Sequence, residues 1–171
     1  MELPKRKNTR LPEFDYNTPG VYFITVCTYN KKKILSRIVG AIHESPVVQL
    51  TENGKIVDYY INNLEKRFGV GVDNYVIMPN HIHLMISVDE RAIRESPLRE
   101  RSIISKVIGY LKMNVSRDMH KKGYYGEIWQ RSFYDHIIRN DMDYQSIWQY
   151  IYGNPSKWLE DCFYVEDFEC I

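Results

Sequence analysis

Asn74–Ser87 reads NYVIMPNHIHLMIS. Two apolar runs, Tyr75–Met78 and Ile82–Ile86, flank the turn-forming pair Pro79-Asn80, and His81 and His83 follow that turn directly. Side chains of a strand alternate between its faces. His81, His83 and Met85 therefore share one face, and Ile82, Leu84 and Ile86 share the other. The aliphatic face is expected to anchor the strand in a core. The opposite face then carries two imidazoles side by side, close enough to bind one metal ion. Two ligands hold a divalent ion poorly, so a third protein ligand is expected from elsewhere, with water or substrate in the open positions.

Outward from this hairpin the chain reads as a simple series. Residues 1–19 form a basic, turn-rich arm, and Val21–Thr28 (VYFITVCT) has the β-branched and aromatic character of a strand. Residues 34–48 read as short strands around a loop at Glu44-Ser45-Pro46. Thr51 opens a helix with apolar positions at Ile56, Tyr59, Tyr60, Leu64 and Phe68, closed by Gly69 and Gly71. After the hairpin, 89–101 is a charged, proline-containing loop. A second helix spans 102–119, with Ile104, Val107, Ile108, Leu111, Met113, Val115 and Met119 at its apolar positions. Ile128–Ile138 reads as a long strand bent near Arg131-Ser132. Arg139-Asn140-Asp141 reads as a turn with an N-cap candidate for a third helix over 142–152, which Asn154-Pro155 ends. The order is β-α-β-β-α-β plus one helix. It predicts an α+β, ferredoxin-like, four-stranded antiparallel sheet with two helices on one face. The face bearing His81 and His83 is left for the third helix. The expected organisation is a single domain over 1–171, with the arm at 1–19 and a surface tail at 157–171.

Composition narrows the function classes. A chain of 171 residues with 26% charged residues suits one soluble domain. No apolar run approaches the roughly 20 residues of a membrane span, and the N-terminus MELPKRKNTRLPEF has no apolar signal core. Three cysteines without CxxC spacing argue against a disulfide framework or a thiolate zinc site. A cytoplasmic location is expected. Net charge is only +1, yet basic clusters recur at Lys5–Lys7 with Arg10, at Lys31–Lys33, at 91–101 and at Lys121-Lys122. Singly these read as solvated loops; together they suit a groove for a polyanion.

Other chemistries built on a His-x-His pair fit less well. A histidine-triad nucleotide hydrolase needs a third histidine where Met85 stands. A TIM-barrel amidohydrolase needs about 250 residues, and a cupin needs many strands rather than long helices. The third helix supplies better partners. Tyr150 and Asn154 are four apart and share a face, and Ile147 and Ile151 lie near it and could dock it on the sheet. A tyrosine beside a metal-bound phosphate can serve as nucleophile. Asn154 offers an amide oxygen suited to Mg²⁺ or Mn²⁺. With fourteen tyrosines in the chain, Tyr144 and Tyr152 compete with Tyr150 on spacing alone.

Four segments in order, RLPEFDYNTPGVYFITVCTYN, MPNHIHLMI, WQRSFYDHIIRN and YIYGNPSKW, resemble the HUH single-tyrosine transposases. Within that superfamily they are most similar to the REP-associated tyrosine transposases. The resemblance covers most of residues 7–158 and implies the same ferredoxin-like fold. It implies Tyr150 as nucleophile, with His81, His83 and Asn154 on Mg²⁺ or Mn²⁺. The implied activity is metal-dependent cleavage and strand transfer of single-stranded or hairpin DNA through a 5′-phosphotyrosine link. The alternatives are a hairpin-binding module that no longer cuts and an unrelated metal-dependent hydrolase. Lys7, Arg10, Arg131, Arg139 and Lys157 are the candidate phosphate contacts. His136 belongs to the resembling segment as either a core residue or a partner of the site. The family accommodates monomers and homodimers.

Overall fold

The computed structural model describes residues 18–40, 46–94 and 102–166. In chain order the elements are β1 (Gly20–Cys27), β2 (Ser36–Val39), β3 (Val47–Leu50), α1 (Glu52–Asn62) and α2 (Leu64–Phe68). There follow β4 (Gly71–Ile77), β5 (His81–Val88), α3 (Glu90–Arg94), α4 (Ile103–Lys121), β6 (Tyr134–Ile138) and α5 (Asp141–Gly153). Short 3-10 turns occupy Tyr29–Lys31 and Pro155–Glu160. The main sheet runs β4-β5-β1-β6 with every neighbouring pair antiparallel. This is the ferredoxin-like arrangement expected from the element order. β2 and β3 form a separate two-stranded sheet between β1 and α1.

The alternation along β5 sorts its residues as expected. Ile82, Leu84 and Ile86 join Tyr22, Ile24 and Val26 of β1 in the core beneath α1 and α4. Those helices contribute Ile56, Val57, Tyr60 and Ile61, and Ile104, Val107, Ile108, Leu111, Val115 and Met119. Thr51 caps α1 by accepting from the Gly54 N–H at 3.1 Å, and its own hydroxyl donates toward the Ile34 and Leu35 carbonyls. Ser102 caps α4 in the same way.

Several expectations change. The helix expected to run unbroken to Phe68 divides at Asn63, whose amide nitrogen turns back to bond the Tyr59 carbonyl. Tyr59 and Met113 are each 62% exposed, so neither belongs to the core; Val57 and Ile61 fill the inward stripe of α1 instead. The long strand over 128–138 shrinks to β6, with only a single bridge between Thr28 and Trp129 before it. The Lys112 ammonium donates to the Gln130 and Ser132 carbonyls at 2.8 Å each, so these two oxygens bond α4 and not a neighbouring strand. Of the loop expected at 89–101, residues 90–94 are the helix α3, while 95–101 lie outside the described residues. Lys7 and Arg10 lie outside them too. No helix among the described residues is long and apolar enough to cross a membrane.

Candidate active site

β1 and β5 build the floor of the site by register. Thr25 pairs with His83 and Cys27 with His81 across the ladder, so the second face of β1 meets the histidine face of β5. The Thr25 hydroxyl lies 2.9 Å from His83 Nδ1. Asn80, at the hairpin turn, donates its amide N–H groups to the Lys31 and Phe163 carbonyls at 3.2 and 2.8 Å. Its oxygen is thereby turned to His81 Nδ1, at 2.9 Å. That oxygen can only accept, so His81 carries its proton on Nδ1 and presents a bare Nε2 lone pair. The two Nε2 atoms face each other at 3.0 Å. Phe23, two residues before Thr25 on the same face, stacks on His83 with centroids 5.2 Å apart.

Strand β6 and helix α5 bring the tyrosine. Asn140 caps α5 by accepting from the Asp143 N–H, and Asp141 and Asp143 sit in its first turn, where carboxylates suit the helix dipole. His136 is not a core residue. It lies half exposed on β6 and bonds the Asp143 carboxylate at 2.9 Å, tying the strand to the start of α5. Tyr144 donates to Asp73 at 3.2 Å, and Asp73 sits at the irregularity in β4 where the register shifts between Val72 and Asn74. Ile151 is buried. These contacts set the rotation of α5, and the three competing tyrosines separate. Tyr144 is spent on docking, Tyr152 is 84% exposed, and the Tyr150 hydroxyl lies 3.3 Å from His83 Nε2. The Phe23 ring meets Tyr150 edge-on at 5.9 Å.

The segment after α5 adds a residue that the sequence reading left in an acidic surface tail. Asp161 has a side chain only 3% exposed, with Oδ2 3.9 Å from His81 Nε2. One ligand atom from each of His81, His83 and Asp161 lies within 4.8 Å of the others. Asn154 is buried, and its amide nitrogen donates to Asp161 Oδ2 at 3.0 Å, leaving its oxygen buried without a hydrogen-bond partner. The tail does not merely cross the surface. Phe163 packs on His81 at 4.7 Å, and Trp158 lies at 6.0 Å. The histidines are 0% and 1% exposed beneath this cover.

These residues fit a divalent cation. Two ligands at neighbouring corners of an octahedron with bonds of about 2.1 Å stand about 3.0 Å apart, the spacing of the two Nε2 atoms. Both imidazoles have their Nδ1 engaged, which fixes ring orientation as it does in metal sites. Burial, aided by Lys31, pushes His81 down to about 3. Burial and then His81 hold His83 well below the ordinary histidine range, against an opposing pull from Asp161. Both rings are therefore neutral and free to donate lone pairs. Burial, then Asp161 and Cys162, push Tyr150 up to about 12, so its phenol is protonated at neutral pH.

A recess of about 260 Å³ opens beside Tyr150, and Asn154, Lys157, Asp161 and Cys162 are among the residues that line it. Lys157 thus lies at the site, whereas Arg131 and Arg139 are exposed on either side of β6. Asp161, Phe23, Thr25 and Asn80 were not singled out by sequence reasoning. For Phe23 and Thr25 a signal existed, since alternation along β1 and antiparallel pairing with β5 put them on the histidine face, Thr25 directly opposite His83. Asp161 had none, because its place depends on how the chain turns after Pro155.

The family model described as "Transposase IS200 like" matches residues 22–154. An uncharacterised protein of Haemophilus influenzae is 31% identical over 174 residues, covering 94% of each chain. A second protein of that organism, named as a candidate REP-associated tyrosine transposase, is 28% identical over 84% of this chain and 74% of its own length. Among solved structures, a REP-associated tyrosine transposase bound to a REP hairpin superposes with a TM-score of 0.61 at 21% identity. The match covers 92% of this chain and 74% of that one. A candidate transposase of Deinococcus radiodurans gives 0.50 at 14% identity, over 88% of this chain and 97% of its own. At those identities the two structures speak to the fold. The REP-associated branch to which the four sequence segments are similar is named among both the sequence relatives and the structural ones. With the family model spanning the sheet, both histidines and α5, the chain belongs to the IS200-like transposase family.

Proposed function

We propose that this protein cleaves and rejoins single-stranded DNA at or beside a REP-like hairpin, through a covalent bond between Tyr150 and a 5′ phosphate. The observation that carries the reading is the 3.3 Å approach of the Tyr150 hydroxyl to His83 Nε2 within one chain. The similarity to a transposase bound to a REP hairpin supports the choice of DNA. His81 and His83 would hold Mg²⁺ or Mn²⁺, with the third ligand drawn from the Asn154–Asp161 pair. When bound, the ion supplies positive charge that polarises a non-bridging phosphate oxygen and orients the phosphate.

The chain's own residues do the rest. Phe23 and the Ile151 anchor hold Tyr150 against the site. Tyr150 Oη bonds to phosphorus as the P–O3′ bond breaks; the phenol proton leaves to solvent and the 3′ oxygen takes one up. One phosphoester bond replaces another, so the released 3′-OH can attack the link and rejoin strands without ATP. Lys157, Arg131 and Arg139, with Lys7 and Arg10 of the arm, would contact flanking phosphates.

A covalent protein–DNA species is expected when the protein meets a single-stranded hairpin oligonucleotide with Mn²⁺. It should vanish in Tyr150→Phe and persist in Tyr152→Phe, whose ring is exposed. An adduct that survives Tyr150→Phe would overturn the assignment. The complete burial of both histidines favours a second reading, a hairpin-binding module that does not cut. Tight binding of the hairpin with no adduct would establish it.

A further inference from the structure

Asn154 is the third metal ligand that the sequence led one to expect, and a second candidate, Asp161, stands bonded to it. We propose that Asp161 is the anionic ligand of the centre and that Asn154 acts as the residue that positions it. The proposal rests on the metal-site reading above and deepens it.

Three observations carry it. Asp161 is held in place from two sides: Oδ1 accepts from the Phe163 N–H at 2.6 Å, and Oδ2 accepts from the Asn154 amide at 3.0 Å. A buried carboxylate oriented this way resembles a prepared ligand more than a stray surface acid. Second, it faces electron-rich atoms. Asn80 leaves His81 Nε2 as a bare lone pair, and Asp161 Oδ2 stands 3.9 Å from it. Carboxylate oxygens and imidazole lone pairs repel in a dry site unless a cation lies between them. Third, Asn154 holds Asp161: its amide nitrogen donates to Asp161 Oδ2, while its own oxygen is buried without a hydrogen-bond partner. Turning the amide over would set that oxygen against the Asp161 carboxylate. The amide nitrogen therefore fixes the carboxylate oxygen that lies nearest His81.

A carboxylate adds negative charge and hard oxygen to the imidazole pair, which strengthens binding of Mg²⁺ and Mn²⁺ more than a neutral amide does. Mn²⁺ is the probe. Its binding to the full chain without DNA is followed through loss of the free-ion electron paramagnetic resonance signal. Asp161→Asn, which keeps an acceptor for Phe163, is expected to weaken binding by about 10-fold or more, and by more than Asn154→Ala does. Asp161→Glu, which keeps the charge, is expected to bind more tightly than Asp161→Asn. Thermal melting without metal checks that each variant is folded, and the glutamate variant carries the test if the asparagine variant is not. An Asp161→Asn protein that binds Mn²⁺ as wild type does, or an Asn154→Ala protein that loses more, overturns the proposal and leaves the tyrosine chemistry intact. A wild-type chain that binds no Mn²⁺ overturns the metal-site reading itself.

Discussion

At the scale of single residues, polar side chains do much of the positioning. Asn80 shows it most clearly: three hydrogen bonds from one turn residue set the tautomer of His81 and bind the tail beneath which the histidines lie. Lys112 does similar work on the far side of β1, where its ammonium gathers the Gln130 and Ser132 carbonyls. Burial pushes that ammonium down to about 8, with Cys27 a smaller opposing influence. An unfolded lysine titrates near 10.4. Below pH 8 both states are protonated and folding bears the whole cost of burying the charge. Between about 8 and 10.4 the unfolded state holds the extra proton, so this group raises stability with pH, by at most about 1.4 kcal/mol per unit and less where solvent reaches it. Urea unfolding at pH 7 to 10 should show wild type gaining on Lys112→Met across that window. A gap that stays constant or moves the other way would contradict the burial argument.

Among elements, α1 and α5 are seated by opposite means. α1 is pressed so tightly on the β2 region that a Cβ at Gly54 would lie 2.0 Å from the Leu35 carbonyl oxygen. Alanine would add at most about 1 kcal/mol of helix propensity, while forcing that contact apart costs about 1–3 kcal/mol. Because the obstacle is backbone, the clash should win, and Gly54→Ala is expected to lower the melting temperature by about 4 °C. A melting point at or above wild type would show that α1 can shift freely. α5 is mostly exposed, with Ile151 as its buried residue. It is held by polar contacts instead: Tyr144 to Asp73, Asp143 to His136, and the Asn74 amide to the Trp148 carbonyl. These bonds act near the start and in the middle of the helix. They decide its rotation, and so which tyrosine faces β5.

At the scale of the whole molecule, Tyr150 reaches His83 of its own chain although the two are 67 residues apart. A site completed within one chain predicts the outcome of a mixing experiment. Tyr150→Phe and His81→Ala proteins, each inactive in adduct formation, should remain inactive when combined. Recovered adduct would mean that two chains exchange α5 and share their sites. The places of the main-sheet strands and of the two long helices, though not the break at Asn63 or the short extent of β6, and the sidedness of the histidine pair were legible in the sequence, because periodicity and capping are properties of short stretches. So was the element order, which with antiparallel pairing leaves few topologies. The tertiary structure decided what local patterns cannot hold: the rotation of α5 that sets Tyr150 apart from Tyr144 and Tyr152, and the turn after Pro155 that carries Asp161 out of an acidic tail to the histidines. Both depend on contacts between distant segments, where a few hydrogen bonds and one buried isoleucine choose among arrangements that spacing alone leaves equivalent.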